Sequence, residues 1–137
     1  MKNRRVLITG MGGELGSLVA ALAENTEWAG DILGIDVDPP RRLLKRSHFV
    51  RVDPTEHDRI AELIQEFNPH VLLHVGVWEP HARLATPEAE TCTALVAKAV
   101  FDAAHQTESL ETVVVRSGTE MYGAGAYSPD IAVESTP

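Results

Sequence analysis

Arg5-Val6-Leu7-Ile8-Thr9-Gly10-Met11-Gly12-Gly13-Glu14-Leu15-Gly16 reads as a strand that breaks into a glycine turn and reopens as a helix. The run from Arg5 to Thr9 has apolar residues on both faces, as the central strand of a parallel sheet requires. Leu15, Leu18, Val19 and Leu22 then recur at i, i+3, i+4 and i+7. That period predicts a helix with those residues on the sheet, starting inside the turn and ending near Asn25-Thr26. Strand, glycine turn and helix in this order distinguish a dinucleotide-binding fingerprint from a chance glycine cluster. Gly10 is expected to make the tight turn, Gly13 to let a pyrophosphate approach the backbone, and Gly16 to bring the helix close to the strand. Met11, Glu14 and Leu15 complete the turn, where N–H groups at the helix start favour an anion. No Lys-Ser or Lys-Thr follows the glycines, which excludes a P-loop.

Outward from this turn, short β-branched runs alternate with helical periods, the pattern of a parallel sheet with crossover helices. Strands are predicted at Ile32–Asp36, Phe49–Asp53, His70–Val75 and Thr112–Arg116. Thr55, with Asp58 three residues on, is expected to cap a helix burying Ile60, Leu63, Ile64 and Phe67. Thr86-Pro87 is expected to open the longest helix, with Val96, Ala99, Val100 and Ala103 facing inward. Right-handed crossovers give the order 3-2-1-4-5, a doubly wound, Rossmann-like α/β fold.

Asp36 lies twenty positions after Gly16 at the end of the second strand. There its carboxylate can accept from adenosine ribose hydroxyls and repel a 2′-phosphate, which favours NAD over NADP. Arg41 and Arg42, a few residues on, are the candidates for holding a 2′-phosphate instead. Asp53, with Pro54 beside it, either accepts from the adenine amino group or is a solvated turn residue.

The chain has 137 residues with 12 Lys+Arg against 20 Asp+Glu, a net charge of -8. One domain is the natural count at this length, here the whole span 1–137. A composition 44% hydrophobic and 23% charged is that of a globular chain able to bury a core without disulfides or structural metal. The acidic balance argues against a nucleic-acid partner, whose phosphates demand basic neutralisation. Apolar runs fall far short of the roughly 20 residues that cross a bilayer. The single Cys92 cannot form an internal disulfide, and a reducing cytoplasm is the simplest compartment.

The residues quoted resemble the extended short-chain dehydrogenase/reductase family, the NAD-dependent sugar epimerases and dehydratases. Thr9 to Gly16 matches its Thr-Gly-x-x-Gly-x-x-Gly spacing, and Leu72-Leu73-His74-Val75-Gly76-Val77 its fourth-strand segment. Ser117-Gly118-Thr119-Glu120-Met121-Tyr122-Gly123 resembles its segment after the fifth strand. The resemblance implies that Val75, Gly76 and Val77 line the pyrophosphate and nicotinamide-ribose side, and that Thr93 stands where the family usually has Asn. It implies an NAD-dependent activity on a nucleotide-sugar-like substrate, and a homodimer through the helix over 87–105.

Two departures limit what is inherited. The family's catalytic Ser or Thr aligns with Gly118, so Ser117 or Thr119, one position off, is the candidate substitute. Glu120 matches an acid that some dehydratases use. The family's Tyr-x-x-x-Lys is absent: Ala126 follows Tyr122 by four, and Ile131 follows Tyr127. The sequence therefore reads as the N-terminal nucleotide-binding part of a longer enzyme, cut before the catalytic helix and last strands. The fifth strand, Val113-Val114-Val115, is apolar on both faces and needs a cover.

His70 and His74 read as structural, because no third ligand stands at metal spacing and no metal site is expected. Trp78 and His81 either flank the nicotinamide or substrate or belong to an ordinary loop. Cys92 reads as a small buried hydrophobe.

Overall fold

A computed structural model describes residues 3–78, 84–118, 126–127, 131 and 133–135. Five parallel strands, β1 (Arg4–Thr9), β2 (Ala29–Asp36), β3 (His48–Arg51), β4 (Val71–His74) and β5 (Thr112–Val115), lie in the order β3-β2-β1-β4-β5. The helices are α1 (Glu14–Glu24), α2 (His57–Phe67) and α3 (Thr86–His105). The strand order is the one the sequence predicts, and the Rossmann-like fold with it.

The core has two parts. One joins α2 and α3 to one face of the sheet through Ile60, Leu63, Ile64, Val100 and Ala103 against Leu7, Leu33 and Leu72. The other joins α1 to the opposite face through Ala20 and Ala23 against Val6, Ile8 and Ile32.

The inward face of α1 differs in part from the one expected: Val19 packs against the core, but the leucines do not. Leu15, Leu18 and Leu22 are 41%, 37% and 60% exposed, while Gly16, Ser17, Ala20 and Ala23 are buried. The reason lies at Gly16, where a Cβ would stand 2.0 Å from the Gly10 carbonyl oxygen. A helix this close to the strand has room only for small side chains beneath it, and the leucines turn outward.

Two predicted caps also shift. Asp53, rather than Thr55, organises the entry to α2: it accepts from the Thr55 amide and hydroxyl, and its own amide donates to Glu56. Thr86, expected as the cap ahead of Pro87, is instead the first residue of α3, and Ala85 takes the cap position.

No helix forms between β2 and β3, and the connection is pinned to the end of α1 instead. The Glu24 carboxylate accepts from the amides of Lys45, Arg46 and Ser47 and from the Ser47 hydroxyl. The Arg46 guanidinium in return donates to the carbonyls of Glu24 and Ala29. Burial works against ionisation of Glu24, but the four donors outweigh it and pull its pKa from 4.5 to about 2.

Val113, Val114 and Val115 of the edge strand β5 are 42–49% exposed. Among the described residues no helix is long and apolar enough to cross a membrane.

Gly16→Ala is expected to destabilise the chain by about 1–3 kcal/mol or to prevent folding, measured by urea unfolding. Because Glu24 is more acidic folded than unfolded, its contribution is complete above pH 4.5 and is lost as the pH falls towards about 2. Unfolding curves across that window are expected to show this slope, and Glu24→Gln to remove its share.

Candidate functional site

The carboxyl ends of β1 and β4 meet where the strand order reverses, and a cleft of about 640 Å³ opens above them. Its floor is the glycine turn. Gly10 has φ 78°, a left-handed conformation that a side chain would strain, and a Cβ on it would lie 2.3 Å from the Cα of Gly76. The two backbones therefore touch, and the chain after β4 runs directly past the turn.

One wall comes from α1, with Gly13, Glu14, Leu15 and Gly16, and another from the residues after β4, Val75, Gly76, Val77 and Trp78. Gly13 has only the Gly10 oxygen near its missing Cβ, at 3.5 Å, so the space above the turn is open. Asp36 closes the β2 side. Its Oδ2 accepts from the Gly12 amide at 2.8 Å and its Oδ1 from the Val37 amide at 2.6 Å. The carboxylate thus ties the end of β2 to the glycine turn. On the far side the Thr93 hydroxyl accepts from the Trp78 amide at 3.0 Å, fixing the loop after β4 to α3.

His74 lies at the junction. It is 3% exposed, its Nδ1 shares a 2.6 Å hydrogen bond with the Thr9 hydroxyl, and its ring meets Phe101 edge-on. Burial pushes its pKa below the usual 6.5, keeping the ring neutral. His70 plays a different part, accepting from the Arg5 amide through Nδ1.

Against this geometry, the model of the family described as NAD-dependent epimerase/dehydratase matches residues 6–137. The chain belongs to that family. One curated relative, methionine adenosyltransferase 2 subunit beta of Danio rerio, is 35% identical over 71 residues, 52% of this chain and 20% of its own. Among solved structures, the Bordetella bronchiseptica enzyme WbmH in complex with NAD+ is 25% identical with a TM-score of 0.63, over 77% of this chain and 36% of that one. WbmG from the same organism, in complex with NAD and UDP, is 20% identical with a TM-score of 0.73, over 98% of this chain and 43% of that one. The chain spans less than half the length of these proteins.

Of the residues singled out in the sequence, Gly10, Gly13, Glu14, Leu15, Gly16, Asp36, Pro54, Val75, Gly76, Val77 and Thr93 line the cleft of this family member. Three others stand elsewhere. Met11 is fully buried beneath the turn, its sulfur filling the space beside Gly34. Asp53 gives its carboxylate to Thr55, whose hydroxyl and amide hold its pKa low, while Val52 and Pro54 form the lining beside it. Ser117 is exposed just past β5 and outside the lining. Thr119, Glu120, Tyr122 and His81 lie outside the described residues. Cys92 is half-buried rather than enclosed. Arg41 lines the cleft, but Arg42 pairs with Glu14.

Gly12, whose amide holds Asp36, is a further site residue, and the doubled glycine at 12–13 is its signal in the sequence. Arg116, at the cleft end of β5, also lines the site and has no such signal.

Because His74 is less basic folded than unfolded, the unfolded chain binds more protons below about pH 6.5, and stability is expected to fall as the pH drops through that region. His74→Gln is expected to flatten this slope, read from urea midpoints between pH 7.5 and about 5.

Proposed function

We propose that residues 1–137 form the NAD-binding part of an epimerase- or dehydratase-like oxidoreductase acting on a nucleotide sugar. The observation that carries the reading is Asp36, at once a wall of the cleft and the acceptor of the Gly12 amide. A carboxylate offers roughly four acceptor positions; the Gly12, Val37 and, at 3.5 Å, Asp38 amides take three, and Oδ2, held by Gly12 alone, keeps capacity for an adenosine ribose hydroxyl. The open space above Gly13 suits a pyrophosphate against the first amides of α1. Apolar Val52, Pro54 and Ile60 suit the adenine face, and Val77, Trp78 and Thr93 the nicotinamide side.

When bound, the nicotinamide supplies reversible hydride transfer at a substrate carbon. This chain's own contribution is to hold and orient the dinucleotide. Ser117, one residue beyond the cleft-lining Arg116 though outside the lining itself, and Thr119 and Glu120 after it are the proposed polar groups for the substrate side, and the acid/base pair is assigned to residues outside these 137. We further assign a homodimer contact to the helix over 87–105 and a reducing, cytoplasmic setting on the lone Cys92. Gly118, where the resembled enzymes carry Ser or Thr, favours a second reading: a family member that binds NAD and regulates a partner without turnover.

Calorimetric titration with NAD and NADP tests the proposal. Micromolar binding of NAD and weaker binding of NADP are expected. Asp36→Asn, checked for folding by circular dichroism, is expected to weaken NAD by about 1–3 kcal/mol and to narrow the gap to NADP. No binding of either nucleotide by the folded chain sinks the reading.

A further inference from the structure

Glu14 is the first residue of α1 and lines the cleft beside Gly13 and Gly16. An acid there complements the helix dipole, yet it opposes any anion seated on the same amides. Arg42 reaches across to it from the connection between β2 and β3. Its Nη2 lies 2.7 Å from the Glu14 Oε1, with the two side chains 43% and 63% exposed.

That connection is held at two points. The Arg41 amide donates to the fully buried Ser17 hydroxyl, which donates to the Met11 carbonyl, each bond 2.8 Å long. Further along, Glu24 grips Lys45, Arg46 and Ser47. Arg42 is therefore anchored beside the N-terminus of α1 rather than carried on a loose loop. The neighbouring Arg41 lines the cleft with Asp36, whereas Arg42 lies outside the lining and meets the cleft through Glu14.

We propose that Arg42 is the counter-cation of the phosphate subsite. It masks Glu14 in the free chain and turns to the pyrophosphate oxygens when a dinucleotide binds, exchanging one ion pair for another. The exchange is favourable because an exposed Glu–Arg pair is weak, whereas guanidinium to phosphate is a charge-assisted, forked contact with a more highly charged partner. This rests on the dinucleotide reading above.

The test is a double-variant cycle read as the Kd for NAD, with adenosine, which carries no phosphate, as the control ligand. At low salt, Arg42→Gln is expected to weaken NAD about threefold to tenfold, since it both removes a cation and unmasks Glu14. Glu14→Gln is expected to tighten NAD by a smaller factor, and the double variant to fall between. These differences are expected to shrink as salt rises from about 0.01 M to about 1 M. Adenosine binding should be alike in all four proteins. NAD affinity in Arg42→Gln within about twofold of wild type at low salt overturns the proposal, as does an equal loss for adenosine. Either result leaves the dinucleotide reading standing, provided wild type binds NAD and Asp36→Asn does not match it. Failure of wild type to bind NAD removes both.

Discussion

The Gly10 carbonyl oxygen occupies the place where a side chain at position 16 would have to go. That contact sets the separation of α1 from β1, and much of the molecule follows from it. With so little space, the inner face of α1 is made of Gly16, Ser17, Ala20 and Ala23. Ser17 can then reach the Met11 carbonyl from within the helix and also receive the Arg41 amide. The same turn brings Gly10 against Gly76. One tight turn thus positions the first helix, the connection after β2 and the chain after β4.

Asp36 extends this arrangement sideways. Its bond to the Gly12 amide ties the end of β2 to the glycine turn. A residue read in the sequence as a ligand acceptor is thus also a structural tie in the floor of the cleft. The Glu24–Arg46 exchange does comparable work at the other end of α1, substituting for the absent crossover helix between β2 and β3.

Most of the fold was legible because it rests on periodicity and on glycine placement. The strand order, the helix that buries Ile60, Leu63 and Ile64, and the glycine turn were all readable in this way. The inner face of α1 was not, because hydrophobic spacing cannot report that a backbone contact elsewhere leaves no room for leucine. The directions of the Met11 and Asp53 side chains were not legible for a related reason. Position beside a turn does not reveal which way a side chain leaves it, and here one fills a void beside Gly34 while the other meets Thr55 two residues on. Long-range pairs such as Glu14 with Arg42 and Arg4 with Glu111 leave no local signature at all.

The described helices are unevenly distributed, α2 and α3 on one face of the sheet and α1 alone on the other, and β5 carries little of either core. Local opening is therefore graded across the sheet. Amides of β1, paired on both sides, are expected to exchange with solvent only when the whole domain unfolds, and those of the edge strand β5 through a less costly local opening. The glycine turn that floors the cleft and the strand that leads into the Ser117 segment are thus expected to belong to different cooperative units. The first can persist while the second rearranges.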